Sequence, residues 1–300
     1  MTAQESIVSD LQEGRRRFLA LVEDVRPDLH RYCTRMTGSI ADGEDVVQDA
    51  LARAYYELSE LKEVPVLRPW LFRIAHHRAL DWLRRYDRRM VEPLDDAVEL
   101  AANDAPDSAL VRDEAVRAAA SRFLELAPVQ RSCVILKDVL GHSLEEIAAL
   151  LELTVPAVKA ALHRGRARLR ELSAMPAPAL PRRAVSPAIA RYVALFNARD
   201  WDGVRALLAD DVKLDLVSRW KRAGRREVSG YFTNYDSKSD WHLVPGWLDG
   251  REVIAVLRDP RESRPVYFME LTLAGGLVAA IRDFRYVPYI AREAAIEMTR

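Results

Sequence analysis

The stretch that most narrows what this chain can become runs from Ser143 to Arg170, SLEEIAALLELTVPAVKAALHRGRARLR. Ser143 with Glu146 three residues on is the pattern of a capping box, in which each side chain satisfies a backbone N–H at a helix start. Leu144, Ile147, Ala148 and Leu151 then share one helical face. Glu152-Leu153 leaves room only for a tight turn. Thr154 is placed to cap a second helix, with Pro156 in its first turn, where the missing N–H has no partner to lose. In that helix Val155, Val158, Leu162 and Leu169 point inward. Lys159, His163, Arg166 and Arg170 recur at helical spacing on another face, flanked by Arg164 and Arg168. Cap, turn and charge segregation together predict a helix-turn-helix, whose second helix enters the major groove of DNA. A helical hairpin with a merely solvated basic face is the plainer alternative.

Three hundred residues are too many for one small core and predict two or three domains. With 45 Lys+Arg against 45 Asp+Glu and 49% apolar residues, the chain is neither disordered nor globally basic. The balance conceals segregation. Arg68, Arg73, Arg78, Arg84, Arg85, Arg88 and Arg89 meet only Asp81 and Asp87, whereas residues 92–125 are strongly acidic. Basic islands in a neutral chain suit local contact with a polyanion. No apolar run reaches the roughly 18–20 residues of a membrane span, and residues 1–10 are polar, so a cytoplasmic protein is expected. Cys33 and Cys133 stand without a second Cys or His at ligand spacing; buried reduced thiols are expected, with no metal and no cofactor.

Upstream, residues 15–38 read as one amphipathic helix that Pro27 breaks or kinks. A second helix follows from about residue 40 to 61. Val46, Val47, Ala50, Leu51, Ala54 and Leu58 form its core face, and Asp42, Glu44, Asp45, Gln48 and Asp49 an acidic exposed edge. Favourable charge at a helix N-terminus is a competing explanation of those acids. After a Pro65 loop, RPWLFRIAHHRALDWLRRYDRR (residues 68–89) carries an apolar stripe among arginines. Aromatics among cations stack on unpaired bases while the cations hold phosphate, although Trp70 and Trp82 read better as core. His76 and His77 point apart on a helix and are expected at the surface.

At this point the sequence resembles a family. GEDVVQDALARAYYEL (residues 43–58) followed by RPWLFRIAHHRALDWLRR (68–85) is similar to region two of bacterial sigma factors. LAPVQRSCVILKDVLGHSLEEIAALLELTVPAVKAALHRGRARLRE (126–171) is similar to their region four, and the short join between them resembles the extracytoplasmic-function group. The resemblance covers roughly residues 15–172 and implies partners, RNA polymerase core and promoter DNA. It implies that Asp42, Glu44, Asp45, Gln48 and Asp49 face the polymerase clamp. Lys62 and the loop to Leu67 would take an extruded base of the −10 element, with Arg73, His77, Arg84 and Arg85 along the non-template strand. Thr154, Lys159, His163, Arg164 and Arg166 would engage the −35 element. Where relatives often carry a polar group, this chain has Ala161. The acidic tether would thread the polymerase exit channel, or simply be solvated.

Beyond Glu171 the Pro-rich SAMPAPALPRRAVSP marks a boundary. Ser186 caps a helix, a shorter one spans 202–209, and strands are expected at 212–217, 242–248, 251–257, 266–273 and 277–286, with Asp249-Gly250 and Gly275-Gly276 as hairpin turns. The pattern predicts an α+β cone and resembles the SnoaL-like domain. Asp215, Trp220, Tyr235, His242, Trp247 and Tyr267 are its candidate pocket residues, with Asp215 and His242 an imaginable acid–base pair.

The expected organisation is therefore two all-α sigma domains and a cone: region two at 1–92, an acidic linker at 93–108, region four at 109–173, a Pro-rich linker at 174–187 and the SnoaL-like domain at 188–300. Three functions compete. They are a promoter-specificity subunit with no catalysis of its own, its cone docking internally as a modulator; a ligand-responsive helix-turn-helix regulator; and a SnoaL-like enzyme with a DNA-binding front half. Cations and aromatics placed ahead of the reading helix favour the first.

Overall fold

The structure is a computed structural model and describes residues 13–14, 16–58, 60–61, 63, 65–91, 122–174, 184–236 and 240–299. The expected acidic linker, most of the helix after it, Lys62 and most of the Pro-rich linker lie outside the described residues. The chain divides into two compact units, one holding both candidate DNA-reading regions and the other the C-terminal cone.

In the first unit the expected single helix over 15–38 is broken. Residues 16–21 are helical, 22–25 form a turn, and α1 (Arg26–Thr37) restarts with Pro27 in its first turn. Proline has no N–H to extend the earlier helix but suits the start of a new one. α1 ends at Gly38, whose φ of 78° closes the helix in the left-handed region. α2 (Ile40–Leu58) and α3 (Leu67–Val91) complete the first three-helix group. A 3-10 turn (Arg122–Glu125) leads to α4 (Pro128–Val134), which runs into a π turn (Ile135–Val139), then α5 (Leu144–Leu151) and α6 (Val155–Ala174).

These helices share one hydrophobic core. Leu29, Tyr32, Met36, Val47, Leu71 and Phe72 from the first group are buried with Cys133, Ile135, Leu136, Ile147 and Val158 from the second. Both thiols are buried and free. Two polar devices join the groups. Tyr32 Oη lies 2.7 Å from His76 Nδ1 and donates to Ser132 Oγ at 3.0 Å. The buried Arg131 guanidinium donates to the carbonyls of Met36 at 2.5 Å, Leu124 at 2.8 Å and Leu126 at 3.0 Å. Arg131 thereby satisfies a helix-end carbonyl that α1 cannot satisfy itself.

The second unit starts at α7 (Pro187–Asn197), capped by Ser186, whose Oγ accepts from Ile189 N, and continues with α8 (Trp201–Ala206). β1 (Leu208–Leu216), β2 (Trp220–Ala223), α9 (Arg225–Asp236), β3 (His242–Leu248), β4 (Arg251–Leu257), β5 (Tyr267–Ala274), β6 (Leu277–Asp283), α10 (Pro288–Glu293) and β7 (Glu297–Met298) follow. One sheet runs in the order β2-β1-β6-β5-β4-β3-β7, with β1 and β6 parallel and the other pairs antiparallel. β3 and β4 fall at the residues that the alternation marks. Asp249 and Gly250, at φ 50° and 76°, form the tight left-handed turn between them. One face of the sheet buries Leu214, Ile254, Tyr267 and Ile281 with Tyr192, Phe196, Val204, Phe232 and Tyr235 of the helices. The sequence reading lacked α9, β2, α10 and β7.

A close approach makes one glycine indispensable to the first unit. A Cβ on Gly43 would lie 2.7 Å from the backbone of Thr34, between α1 and α2. Gly43→Ala should therefore destabilise by about 1–3 kcal/mol through overpacking. A thermal midpoint equal to wild type in a melting curve would show that α1 and α2 are not so close.

Candidate nucleic-acid interface

The helix-turn-helix is built as its residue types dictate. Ser143 Oγ accepts from Glu146 N at 3.0 Å, and Glu146 Oε2 accepts from Ser143 N at 2.7 Å, so both members of the capping box are formed. Glu152 takes the left-handed turn position at φ 57°. Thr154 Oγ1 accepts from Ala157 N at 3.3 Å, opening α6. Along α6, Lys159, His163, Arg164, Arg166 and Arg170 are exposed, as is Thr154. Lys159, His163, Arg166 and Arg170, with Lys137 of the π turn, line a groove of about 410 Å³ over the apolar Leu144 and Leu162. Ala161 lies in the core, 1% exposed, so a small residue there costs the reading face nothing.

On α3, Arg73, His77, Arg84 and Arg85 are exposed, and Arg73, His77 and Arg84 share a face by helical spacing. Asp81 tempers this face: Arg84 Nη1 donates to its carboxylate at 3.4 Å, and Arg78 lies 3.5 Å from it. Trp70 is buried. Trp82 is half-buried and stacked on Tyr86, with centroids 5.3 Å apart and planes 5° from parallel. His76 corrects the sequence expectation of a surface residue. It is buried beside Tyr32, and burial followed by the neighbouring His77 charge holds its pKa down to about 4, so the ring is neutral.

The acidic edge of α2 also needs correction. Only Asp45 and Asp49 are exposed, with Gln48 half-buried. Glu44 is fully buried, its Oε1 accepting from Arg26 Nη2 at 2.6 Å and from Gln48 Nε2 at 2.7 Å; Asp42 is buried as well. Glu44 stands three residues before Val47 and seven before Leu51, so it shares their inward face. Charge type misled where periodicity was the better guide.

In the cone, two of the candidate pocket residues, Tyr235 and Tyr267, meet, and the other four do not join them. Asp215 is half-buried on β1 with Lys221 Nζ 3.2 Å away, and Trp220 is exposed on the edge strand β2 under Arg222. His242 and Trp247, both half-buried, lie on β3, separated from β1 by β6, β5 and β4. Four strand steps of ~4.8 Å put Asp215 and His242 about 19 Å apart along the sheet, which rules out the imagined acid–base pair. Tyr235 and Tyr267 are deep inside. They belong to a chain of phenols: Tyr231 Oη lies 2.9 Å from Tyr235 Oη, which lies 2.8 Å from Tyr267 Oη. Tyr231 also donates to the fully buried Asp283, which accepts from Arg285 N at 2.8 Å. Burial pushes the Asp283 carboxyl up to about 6 and the Tyr235 phenol up to about 12. Sequence reasoning missed Asp283, although its even spacing from Ile281 on a strand marked it as inward-facing.

With both cationic faces described, the kinship can be read. A family model of sigma-70 region 2 matches residues 21–89, and one of sigma-70 region 4 matches residues 117–169. The ECF RNA polymerase sigma factor SigG of Mycobacterium tuberculosis is 31% identical over 287 aligned positions, covering 85% of this chain and 69% of SigG. The chain belongs to the ECF sigma factors. SigW of Bacillus subtilis is 29% identical over 163 positions, 51% of this chain and 87% of SigW. Similar solved structures include the Mycobacterium tuberculosis ECF sigma factor SigJ, 22% identical with a TM-score of 0.35, covering 88% of this chain and 95% of SigJ. A putative polyketide cyclase from Sinorhizobium meliloti, 16% identical with a TM-score of 0.28, covers 33% of this chain and 95% of its own. An ECF sigma factor is a transcription-initiation subunit of RNA polymerase. Among the described residues of this sigma factor, no helix is long and apolar enough to cross a membrane, and no cluster of three or more His, Cys, Asp or Glu could hold a metal.

Asp283 makes the stability of the cone depend on pH. Its folded pKa of about 6 lies above the unfolded value, so between pH 4 and 6 the folded state holds the proton more tightly. Stability from this group is present below pH 4 and lost as pH rises through 6, by about 3 kcal/mol for a shift of ~2 units. Asp283→Asn should gain on wild type in thermal midpoint as pH goes from 4 to 7. A constant difference across that range would contradict the assignment.

Proposed function

We propose that this sigma factor grips a promoter with two separate cationic helix faces and binds RNA polymerase core through the exposed part of α2. The observation that carries this is the pair of segregated faces, α3 and α6, each exposed and each in the order expected of regions two and four. On that reading Arg73, His77, Arg84 and Arg85 lie along the −10 strand, next to the loop that includes Lys62. Thr154, Lys159, His163, Arg164 and Arg166 engage the −35 duplex. Asp45, Asp49 and Gln48 face the polymerase, whereas the buried Asp42 and Glu44 shape α2 from inside.

Both reading faces stand on one core, and this sets a geometric condition. The roughly 130 described residues of this unit, packed as a globule, have a radius of gyration of ~14 Å and are roughly 35–40 Å across. Elements centred about 25 base pairs apart lie about 85 Å apart at ~3.4 Å per base pair. The compact unit therefore has to open between α3 and α4 for one molecule to hold both elements. Polymerase core, by binding the opened form preferentially, would supply the driving force.

The C-terminal cone acts in this reading as a tethered modulator, not a catalyst. The separation of Asp215 from His242 and the aromatic filling around Asp283 support that assignment. A short tether keeps such a domain at roughly millimolar effective concentration to its own chain. The cytoplasm is the compartment in which polymerase core would be met.

Three outcomes are expected. In transcription with purified polymerase core on a random promoter pool, full-length protein and residues 1–172 should differ in output; equal output would remove the modulatory role. Asp45→Lys with Asp49→Lys should weaken core binding about tenfold by adding unfavourable interface charge, and unchanged affinity would place the polymerase contact elsewhere. Lys159→Ala should flatten the dependence of log affinity on log salt by about 0.9 for the holoenzyme on duplex DNA. An unaltered slope would exclude Lys159 from phosphate contact.

A further inference from the structure

Among the described residues, one acid pairs with a cation that lines the α6 groove. Asp138 stands in the π turn Ile135–Val139, where the extra residue per turn shifts the side chains out of α-helical phase. The turn is well defined: Leu140 N donates to Ile135 O at 3.1 Å, and His142 N to Leu136 O at 2.9 Å. From it, Asp138 meets Arg166 side-on, with Nε to Oδ2 at 2.9 Å and Nη2 to Oδ1 at 2.5 Å. This two-bond fork fixes the guanidinium plane as well as its position. The paired carboxylate holds the Arg166 pKa above its ordinary value.

The other cations of the groove are placed differently. Lys137 Nζ donates to His142 O at 3.0 Å, and Arg170 Nε to Arg166 O at 3.3 Å, so both are directed by backbone carbonyls and keep their full charge. Lys159 and His163 have no ion pair among the described residues. Of the five basic side chains that line the groove, Arg166 is thus the one neutralised by a carboxylate at salt-bridge distance.

We propose that Asp138 is a specificity-determining residue of the −35 reader, restraining Arg166 so that it cannot serve as an indiscriminate phosphate contact. This rests on the reading of α6 as the DNA-contacting helix. Non-specific complexes form by neutralising phosphates with whatever cations reach them, and each added contact raises affinity for every sequence. A specific complex has its register fixed by base contacts, so a loose arginine adds less to it than to a sliding complex. Asp138 withholds that non-specific increment and presents Arg166 to the groove at one orientation. Its own negative charge also repels backbone phosphates from the π turn.

The test uses full-length protein bound to polymerase core. The probes are a random-sequence duplex and a promoter duplex selected by the same holoenzyme. Asp138→Asn should tighten binding to the random duplex severalfold and steepen its log–log salt slope by about 0.9, one extra phosphate contact. Promoter affinity should not rise in step, so the promoter-to-random ratio falls. Asp138→Glu, which keeps the carboxylate, should restore most of the ratio. In an Arg166→Gln background the same Asp138→Asn change should leave the slope alone, since no arginine remains to release. Equal steepening with or without Arg166 would overturn the proposal, because loss of one negative charge would then suffice. An unchanged slope and ratio in Asp138→Asn would overturn it too. Lys159→Ala in the same titration separates the two levels. If that change flattens the slope while Asp138→Asn does nothing, α6 still reads DNA and only the restraint is wrong.

Discussion

The hydroxyl of Tyr32, shared between His76 and Ser132, is the interaction on which the first unit depends. It lies in an apolar core, where an unpaired polar atom costs about 1–3 kcal/mol but a satisfied hydrogen bond contributes only ~1. The three side chains come from α1, α3 and α4: Tyr32 and His76 meet within the first helix group, and the Tyr32–Ser132 bond joins that group to the second. Arg131 adds the same logic with charge, since its guanidinium is buried and its acceptors are carbonyls at the end of α1 and in the turn before α4. Such contacts specify one arrangement more than they stabilise it. Separation of the regions would wet the polar seam, so water could replace each lost partner. Going from 1% to 99% open takes about 5.5 kcal/mol of preferential binding, which one standard interface with polymerase could supply.

The charge pattern follows a similar economy of opposed effects. Both reading faces combine exposed cations with an acid placed among them, Asp81 on α3 and Asp138 beside α6. Exposed ion pairs contribute little to stability, with a typical range of ~0–1 kcal/mol. Their consequence lies in which cations remain available to phosphate. A formal net charge of zero is compatible with DNA binding because the opposite charges are sorted along the chain rather than mixed.

Much of this was legible in the residues themselves. The Ser143–Glu146 capping box, the Glu152 turn and the buried Val158 and Leu162 follow from local chemistry, which needs no knowledge of distant partners. β3 and β4 were equally plain, because Asp249-Gly250 fixes the register and alternation fixes the faces. What escaped were features that depend on remote contacts. Glu44 and His76 look like surface residues by type, and their burial becomes tolerable through partners such as Arg26 and Gln48 for the first and Tyr32 for the second. α9 has a mixed polar pattern, and its Tyr231 and Tyr235 become intelligible once Asp283 is found beneath them. The pocket residues of the cone were chosen for chemical type, whereas the sheet order decides which of them can meet.

On the proposed function, the two DNA-reading faces that share a closed core must part on the promoter. Fluorescence energy transfer between dyes at Glu60→Cys and Glu145→Cys, both exposed and outside the reading faces, measures this directly, since the native Cys33 and Cys133 are buried. Transfer should be high in the free protein and fall sharply once polymerase core and promoter DNA are added, by a separation of about 30 Å or more given the ~85 Å between elements. Undiminished transfer in a complex that is actively making RNA would contradict the account.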